Sequence, residues 1–456
     1  MLTCAAGAPA ADGEGGAALR LLLGLAALVA LALLASHRRW WGWRRAPLGA
    51  ALTTGGYLAV ALGLLLGPHA IKLVDHGHIA TLRPLVLFCL GWVGLLIGLQ
   101  LRRDLPKLLP PRATPIALAD AMLSVAVVGG AAFAAFALAH SHARAPDPNA
   151  GQPPVRLAEM GVVAAVVGAA AIGWSAELRS LLGAEQQRGP AGLIRAVAGL
   201  ASALAILAYG VAFMLMEHGA TFGISLLPLA VGMLVSLLIA TVVGLLGLWL
   251  MPLARNSDSA FLVVLLGLVS FAAGAAGTLG YSPLLVAMLV GALVVNLPGS
   301  ALTRLRRVVI DAEQPVAMAL MLTAGVIADP NLSPAAALLI AAAVIARLIV
   351  KLPLGRRCAP AAPPHLRPLT FAPTRQAPLA IALAVGYAIS EHADATDAVV
   401  SGGQLVMAVV LIGLASDILA QAARFAFGGP PLPAPDPAGH QAAAGTAARR
   451  DPAARA

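Results

Sequence analysis

The chain consists largely of apolar stretches about 20 residues long, separated by short polar loops. An α-helix of this length crosses the hydrocarbon core of a bilayer and satisfies its own backbone hydrogen bonds there. About 13 stretches meet this criterion, numbered here as spans 1 to 13: residues 17–36, 46–67, 79–101, 114–139, 157–182, 193–216, 222–252, 259–279, 283–297, 308–328, 334–352, 369–389 and 403–425. Because 60% of the residues are hydrophobic and only 11% are charged, the sequence predicts an all-α polytopic membrane protein.

The loops alternate in charge along the chain. Every second loop is rich in Arg and Lys, as in residues 38–45, 102–112, 304–307 and 356–367. Basic loops stay in the cytoplasm, so we expect a multi-pass protein of the cell (inner) membrane with its amino end outside. Residues 1–427 form the predicted transmembrane domain, and residues 428–456, rich in Pro, Ala and Gly, form a predicted disordered cytoplasmic tail.

Composition and motifs disfavour several function classes. The net charge of +10 lies in short loops without a basic amphipathic face, so we expect no nucleic-acid partner. The chain has no recognisable catalytic set, phosphate loop or zinc motif, which predicts neither an enzyme nor a bound cofactor or metal. Asp75-His76-Gly77-His78 is interpreted as a solvated outer loop, with a pH sensor or weak metal site as the alternative.

Four segments resemble motifs of the monovalent cation:proton antiporter (sodium/hydrogen exchanger) superfamily. Residues 56–68, GYLAVALGLLLGP, are similar to its second-helix signature. Residues 95–101, LLIGLQL, are similar to its third-helix motif, in which Gln100 takes the place of the usual Glu. Residues 279–292 resemble its glycine-rich hairpin, and residues 315–325 resemble the helix that follows. The motifs occur in the family's order, and the resemblance covers about residues 17–425.

This resemblance implies a fold of two inverted repeats whose discontinuous helices cross near the membrane midplane, and it implies a homodimer. Span 5 would be one crossing helix, with Gly173 and Ser175 where flexible residues suit unwound backbone. Small residues that only pack helices tightly are the alternative. Span 12 would be the other crossing helix, broken at residues 373–378, where Arg375 matches a basic residue of many relatives. Snorkelling of Arg375 to the inner interface is the alternative for that side chain.

The membrane-buried aspartate of these relatives is missing from this chain. Ser202 on span 6 aligns best with its position. A serine can ligate a weakly held cation or a carried substrate, but it cannot exchange a proton near neutral pH. The alternative is that Ser202 only bonds a carbonyl of its own helix.

Four charged residues within the predicted spans bear on the missing aspartate, two basic residues and two carboxylates that can stand in for it. Arg347 and Lys351 on span 11 share one helix face. Lys351 aligns with a lysine that many relatives place opposite the aspartate, although a helix ending at Leu352 would let it snorkel. Asp120 on span 4 is a candidate partner of Arg347 or a relocated proton carrier, and Asp417 on span 13 is a second carboxylate that can pair with a basic residue.

The sequence therefore predicts a secondary active transporter that exchanges a monovalent cation for protons across the lipid bilayer by alternating access. Two alternatives stay open. One is a transporter of an anionic or neutral solute, and the other is a membrane sensor or scaffold that transports nothing.

Overall fold

The computed structural model describes residues 56–71, 76–102, 112–143, 155–173, 190–222, 226–252, 254, 257–296, 304–305, 308–309, 312–358, 373–374, 378–390 and 400–426. Span 1 and the tail from residue 428 lie outside these residues. The described elements are almost entirely helical. They are α1 Tyr57–Leu66, α2 His76–Gly98, α3 Ala113–Leu123, a π-helix Ser124–Gly129, α4 Gly130–Ala143, α5 Val155–Ile172, α6 Pro190–Phe222, α7 Leu226–Leu250, α8 Asp258–Thr278, α9 Pro283–Asn296, α10 Glu313–Ile327, α11 Pro334–Cys358, α12 Pro378–Ser390 and α13 Gly402–Ala426.

These helices confirm the all-α membrane architecture. Among the described residues, six helical segments are long and apolar enough to cross a membrane: Ala113–Ala139, Ala196–Met216, Leu227–Leu250, Ser259–Thr278, Pro334–Arg357 and Gly402–Ala423. The segment 113–139 runs without a break through α3, the π-helix and α4. Shorter apolar helices occupy the remaining predicted spans from span 2 onward, so each of spans 2 to 13 contains a helix.

Helix α7 exposes an apolar face. Leu227, Leu234, Leu238 and Trp249 are each more than 60% exposed. A soluble protein rarely leaves so many large apolar side chains in contact with water, whereas lipid solvates them. Span 7, predicted over residues 222–252, contains this single helix of 25 residues, Leu226–Leu250.

Glycines bring two pairs of helices into backbone contact. A Cβ atom added to Gly63 of α1 would lie 2.0 Å from the Leu322 carbonyl oxygen of α10. A Cβ added to Gly98 of α2 would lie 2.1 Å from the Met288 carbonyl oxygen of α9. Only glycine permits such close approach, which is the usual reason for small residues at membrane helix contacts. The segments that resemble family motifs therefore form the two tightest helix contacts.

The helix contacts repeat with approximate two-fold symmetry. The set α1, α2, α3–α4, α5 and α6 corresponds in order to α9, α10, α11, α12 and α13. Helix α1 packs against α10 and α2 against α9, while α3 packs against α6 and α11 against α13. Counterparts are seven crossings apart, so they run in opposite directions through the membrane. This is the pattern of inverted repeats.

Candidate functional site

Helix α5 ends inside the protein. Its last helical residue is Ile172, and Gly173 follows as buried, non-helical backbone. Helix α12 packs against α5 and begins only at Pro378, after a short 3₁₀ turn at Pro373 and Thr374. Helix α5 therefore ends within predicted span 5, and α12 begins within predicted span 12. Within α5, Gly168 allows close packing on the π-helix, because a Cβ there would be 3.1 Å from Cα of Val125.

Helix α11 is longer than the sequence predicts. The chain remains helical through Pro353 and reaches Cys358, so the expected end at Leu352 was wrong. Lys351 consequently lies seven residues, or about 10 Å, from the end of its helix. Its side chain is 0% exposed, which excludes snorkelling to the interface.

Lys351 forms an ion pair with Asp120 of α3. The Lys351 Nζ atom donates to Asp120 Oδ1 at 2.6 Å and to the Ile172 carbonyl oxygen at 3.0 Å. Asp120 lies seven residues after the start of α3, at the depth where Lys351 stands on the antiparallel α11. The second carboxylate oxygen, Asp120 Oδ2, is buried and accepts no hydrogen bond.

Arg347 binds the same end of α5 one turn along α11. Its guanidinium donates to the carbonyl oxygen of Ala171 at 2.8 Å and to that of Gly173 at 3.4 Å. The last carbonyls of a helix have no partner within the helix and carry partial negative charge, so two cations stabilise this buried end. The sequence offered Arg347 as the partner of Asp120. In the structure Asp120 pairs with Lys351, and Arg347 donates to the end of α5.

The site contains balancing charges. The negative charges of Asp120 and Asp417 both act on the Arg347 guanidinium. Asp417 lies on α13, which packs against α11, and it is 1% exposed. Two carboxylates and two basic groups therefore occupy one buried region, as burial of charge requires.

Ser202 bonds its own helix rather than this ion pair, and two other predicted residues lie outside the described parts of the chain. Ser202 is buried on α6 and its hydroxyl donates to the Ala198 carbonyl oxygen at 2.9 Å, which is the purely local bond that the sequence left as an alternative. Ser175 and Arg375 lie outside the described residues. No group of three or more metal-ligating side chains occurs in the described parts of the chain.

Sequence reasoning missed two parts of the site. One is Ser124, whose hydroxyl donates to Asp120 Oδ1 at 3.3 Å. The i, i+4 spacing of Asp120 and Ser124 was the available signal. The other is the set of three carbonyls of Ala171, Ile172 and Gly173 at the end of α5, which no side-chain pattern reveals.

The fold and the site together define a multi-pass helical membrane protein with a buried ion pair at the end of a helix. No family model matches the chain, and no curated protein matches it either. Among solved structures, the chain is similar to the sodium proton antiporter MjNhaP1 from Methanocaldococcus jannaschii, with 13% identity and a TM-score of 0.49 over 90% of this chain and 98% of that chain. At this identity and TM-score the likeness assigns neither a substrate nor a mechanism to this protein.

Proposed function

We propose that the protein is a secondary active transporter that exchanges a monovalent cation for a proton, with Asp120 as the cation-binding carboxylate. The observation that carries this proposal is the fully buried Asp120–Lys351 pair at the end of α5. Ionisable groups within membrane spans are costly and are usually functional. The sequence motifs that resemble cation:proton antiporters support the same class.

The Lys351 ammonium occupies a place that suits a monovalent cation. It carries one positive charge and contacts two oxygen atoms, one from Asp120 and one from Ile172. Oxygen atoms of this kind replace the hydration shell of an alkali cation in protein sites. A cation that displaces Lys351 would therefore find a carboxylate and a backbone carbonyl already positioned by α3 and α5.

Charge balance links this displacement to proton release. A buried site that gains a cation must lose a positive charge to avoid a large desolvation cost. Lys351 can lose one by breaking an Nζ–H bond, with the electron pair left on nitrogen and the proton passed to water on the side to which the site is open. Lysine shifts its protonation readily when buried, whereas arginine does not, so Arg347 keeps its charge.

The alternative of an anionic solute has less support. Lys351 is bonded to a carboxylate, and Arg347 donates to two helix carbonyls. An incoming anion would compete with these oxygens at a helix end that repels negative charge.

We also propose the homodimer implied by the resemblance and an amino end outside the cell membrane, as the loop charges indicate.

Proton flux in proteoliposomes tests the proposal. Addition of Na⁺, Li⁺ or K⁺ to one side of an imposed pH gradient should change the internal pH with the wild-type protein. Asp120→Asn should abolish that response. Asp329→Asn, which removes a partly exposed carboxylate outside the buried region, should leave it. If no cation moves protons through the wild type, the exchange function is wrong and a sensor or scaffold role gains support.

A further inference from the structure

Helical hydroxyl groups in this protein generally bond to their own backbone. A side chain of this kind in a membrane helix usually donates to the carbonyl four residues earlier. Five described side chains follow that rule: Ser202, Thr241, Thr278, Thr323 and Ser416. Ser124 does not, because its hydroxyl donates to the carboxylate of Asp120 rather than to a carbonyl.

Ser124 also lies at a change in the local backbone. Ser124 is the first residue of the π-helix, and its backbone N–H is shared between the carbonyl oxygens of Asp120 and Ala121. The π-helix packs against α5, and a Cβ atom on Gly129 would lie 3.1 Å from the Ala164 carbonyl oxygen. Short π-helical turns within α-helices are frequent at functional sites. Here the turn lies directly beside the Asp120 carboxylate.

A second observation points to a ligand at the same place. Asp120 is 0% exposed, and its Oδ2 atom accepts no hydrogen bond. Buried polar atoms are nearly always bonded, so such an atom marks a place for a water molecule or an ion. A serine hydroxyl has one donor and two acceptor lone pairs. Ser124 can therefore keep its bond to Asp120 and still offer a lone pair to a cation held by the carboxylate.

We propose that Ser124 is a further ligand of the carried cation and that it sets the preference for the smaller alkali cations. This inference rests on the proposed exchange function. Li⁺ and Na⁺ hold water more strongly than K⁺, so they depend more on each protein oxygen that replaces a water molecule. The π-helix would position this oxygen by turning the hydroxyl towards the carboxylate.

The test compares cation preference in proteoliposomes for the wild type, Ser124→Ala and Ser124→Thr. Loss of one charge-assisted contact corresponds to about a tenfold or larger increase in KM, and we expect this for Li⁺ and Na⁺ but a smaller change for K⁺. Ser124→Thr keeps the hydroxyl and should retain the wild-type preference. Thr323→Ala removes a buried hydroxyl that bonds its own helix, and it is the control.

Each outcome decides something specific. If Ser124→Ala changes the maximal rate equally for all three cations without changing KM, Ser124 is not a ligand. If the wild type shows no cation-dependent proton flux, the exchange function and this inference both fail. Should Ser124→Ala fold poorly, Ser124→Cys keeps the volume but replaces oxygen with sulfur, and it should show the same loss of Li⁺ and Na⁺ affinity. Normal affinity in that variant would overturn the proposal.

Discussion

The Asp120–Lys351 ion pair gives the most quantitative prediction. Removal of one partner from a buried ion pair lowers the free energy of unfolding by roughly 3–5 kcal/mol, because the other charge is left uncompensated. Replacement of both partners by apolar residues is often neutral. Asp120→Leu and Lys351→Met should therefore each lower the stability of the protein strongly. The double variant should be more stable than either single variant, although it should not transport.

The structure also predicts which single variant is worse. Without Asp120, Lys351 keeps its bond to the Ile172 carbonyl. Without Lys351, Asp120 keeps only the 3.3 Å contact from Ser124, and the Ile172 carbonyl at the end of α5 also loses its bond from Lys351. Lys351→Met should therefore be the less stable variant.

Thermal unfolding of the purified variants in detergent, followed by tryptophan fluorescence, measures these differences. We expect the highest Tm for the wild type or the double variant, a lower Tm for Asp120→Leu and the lowest Tm for Lys351→Met. Two single variants that each cost less than about 1 kcal/mol and add simply in the double variant would refute the pairing, because residues in direct contact are expected to couple.

Two further predictions concern stability and use the same assay. Arg347→Lys should lower Tm by an amount corresponding to roughly 1.5–3 kcal/mol, because an ammonium cannot reproduce the forked contact with the carbonyls of Ala171 and Gly173. The control Arg356→Lys, at an exposed position, should leave Tm unchanged. Equal changes in Tm for the two variants would contradict the contact. Gly325→Ala should cost about 1–3 kcal/mol, since its Cβ would lie 2.0 Å from the Val60 carbonyl oxygen. Gly274→Ala has nothing within 4 Å and should stabilise its helix by up to about 1 kcal/mol. A similar Tm for the two alanine variants would argue against the close contact of α1 and α10.

The membrane architecture could be predicted from the sequence because each span carries its own signal, an apolar run of sufficient length. The end of α5 within span 5 and the start of α12 within span 12 also agree with local residues, namely Gly173 and the prolines at 373 and 378. The ion pair could not be predicted with the correct partner. The sequence predicted a helix end at Leu352, yet α11 continues to Cys358, so Lys351 lies inside the helix and pairs with Asp120.

The parts of the site that the sequence did not reveal depend on backbone geometry. The carbonyls of Ala171, Ile172 and Gly173 belong to apolar residues or glycine, so their residue types indicate nothing about binding. The bond from the Ser124 hydroxyl to Asp120 lies at a π-helical turn, for which the segment SVAVVG has no distinctive composition. Ser202 attracted attention through alignment with the relatives' aspartate, but its bond to Ala198 is local.

The buried charges have an electrical consequence. Asp120, Asp417, Arg347 and Lys351, when all are ionised, sum to zero net charge within the described part of the membrane domain. Movement of one elementary charge through a membrane potential of 100 mV requires about 2.3 kcal/mol of work. If the proposed exchange carries this region across the field as a rigid unit, its zero net charge means that the membrane potential does no net work on that translation.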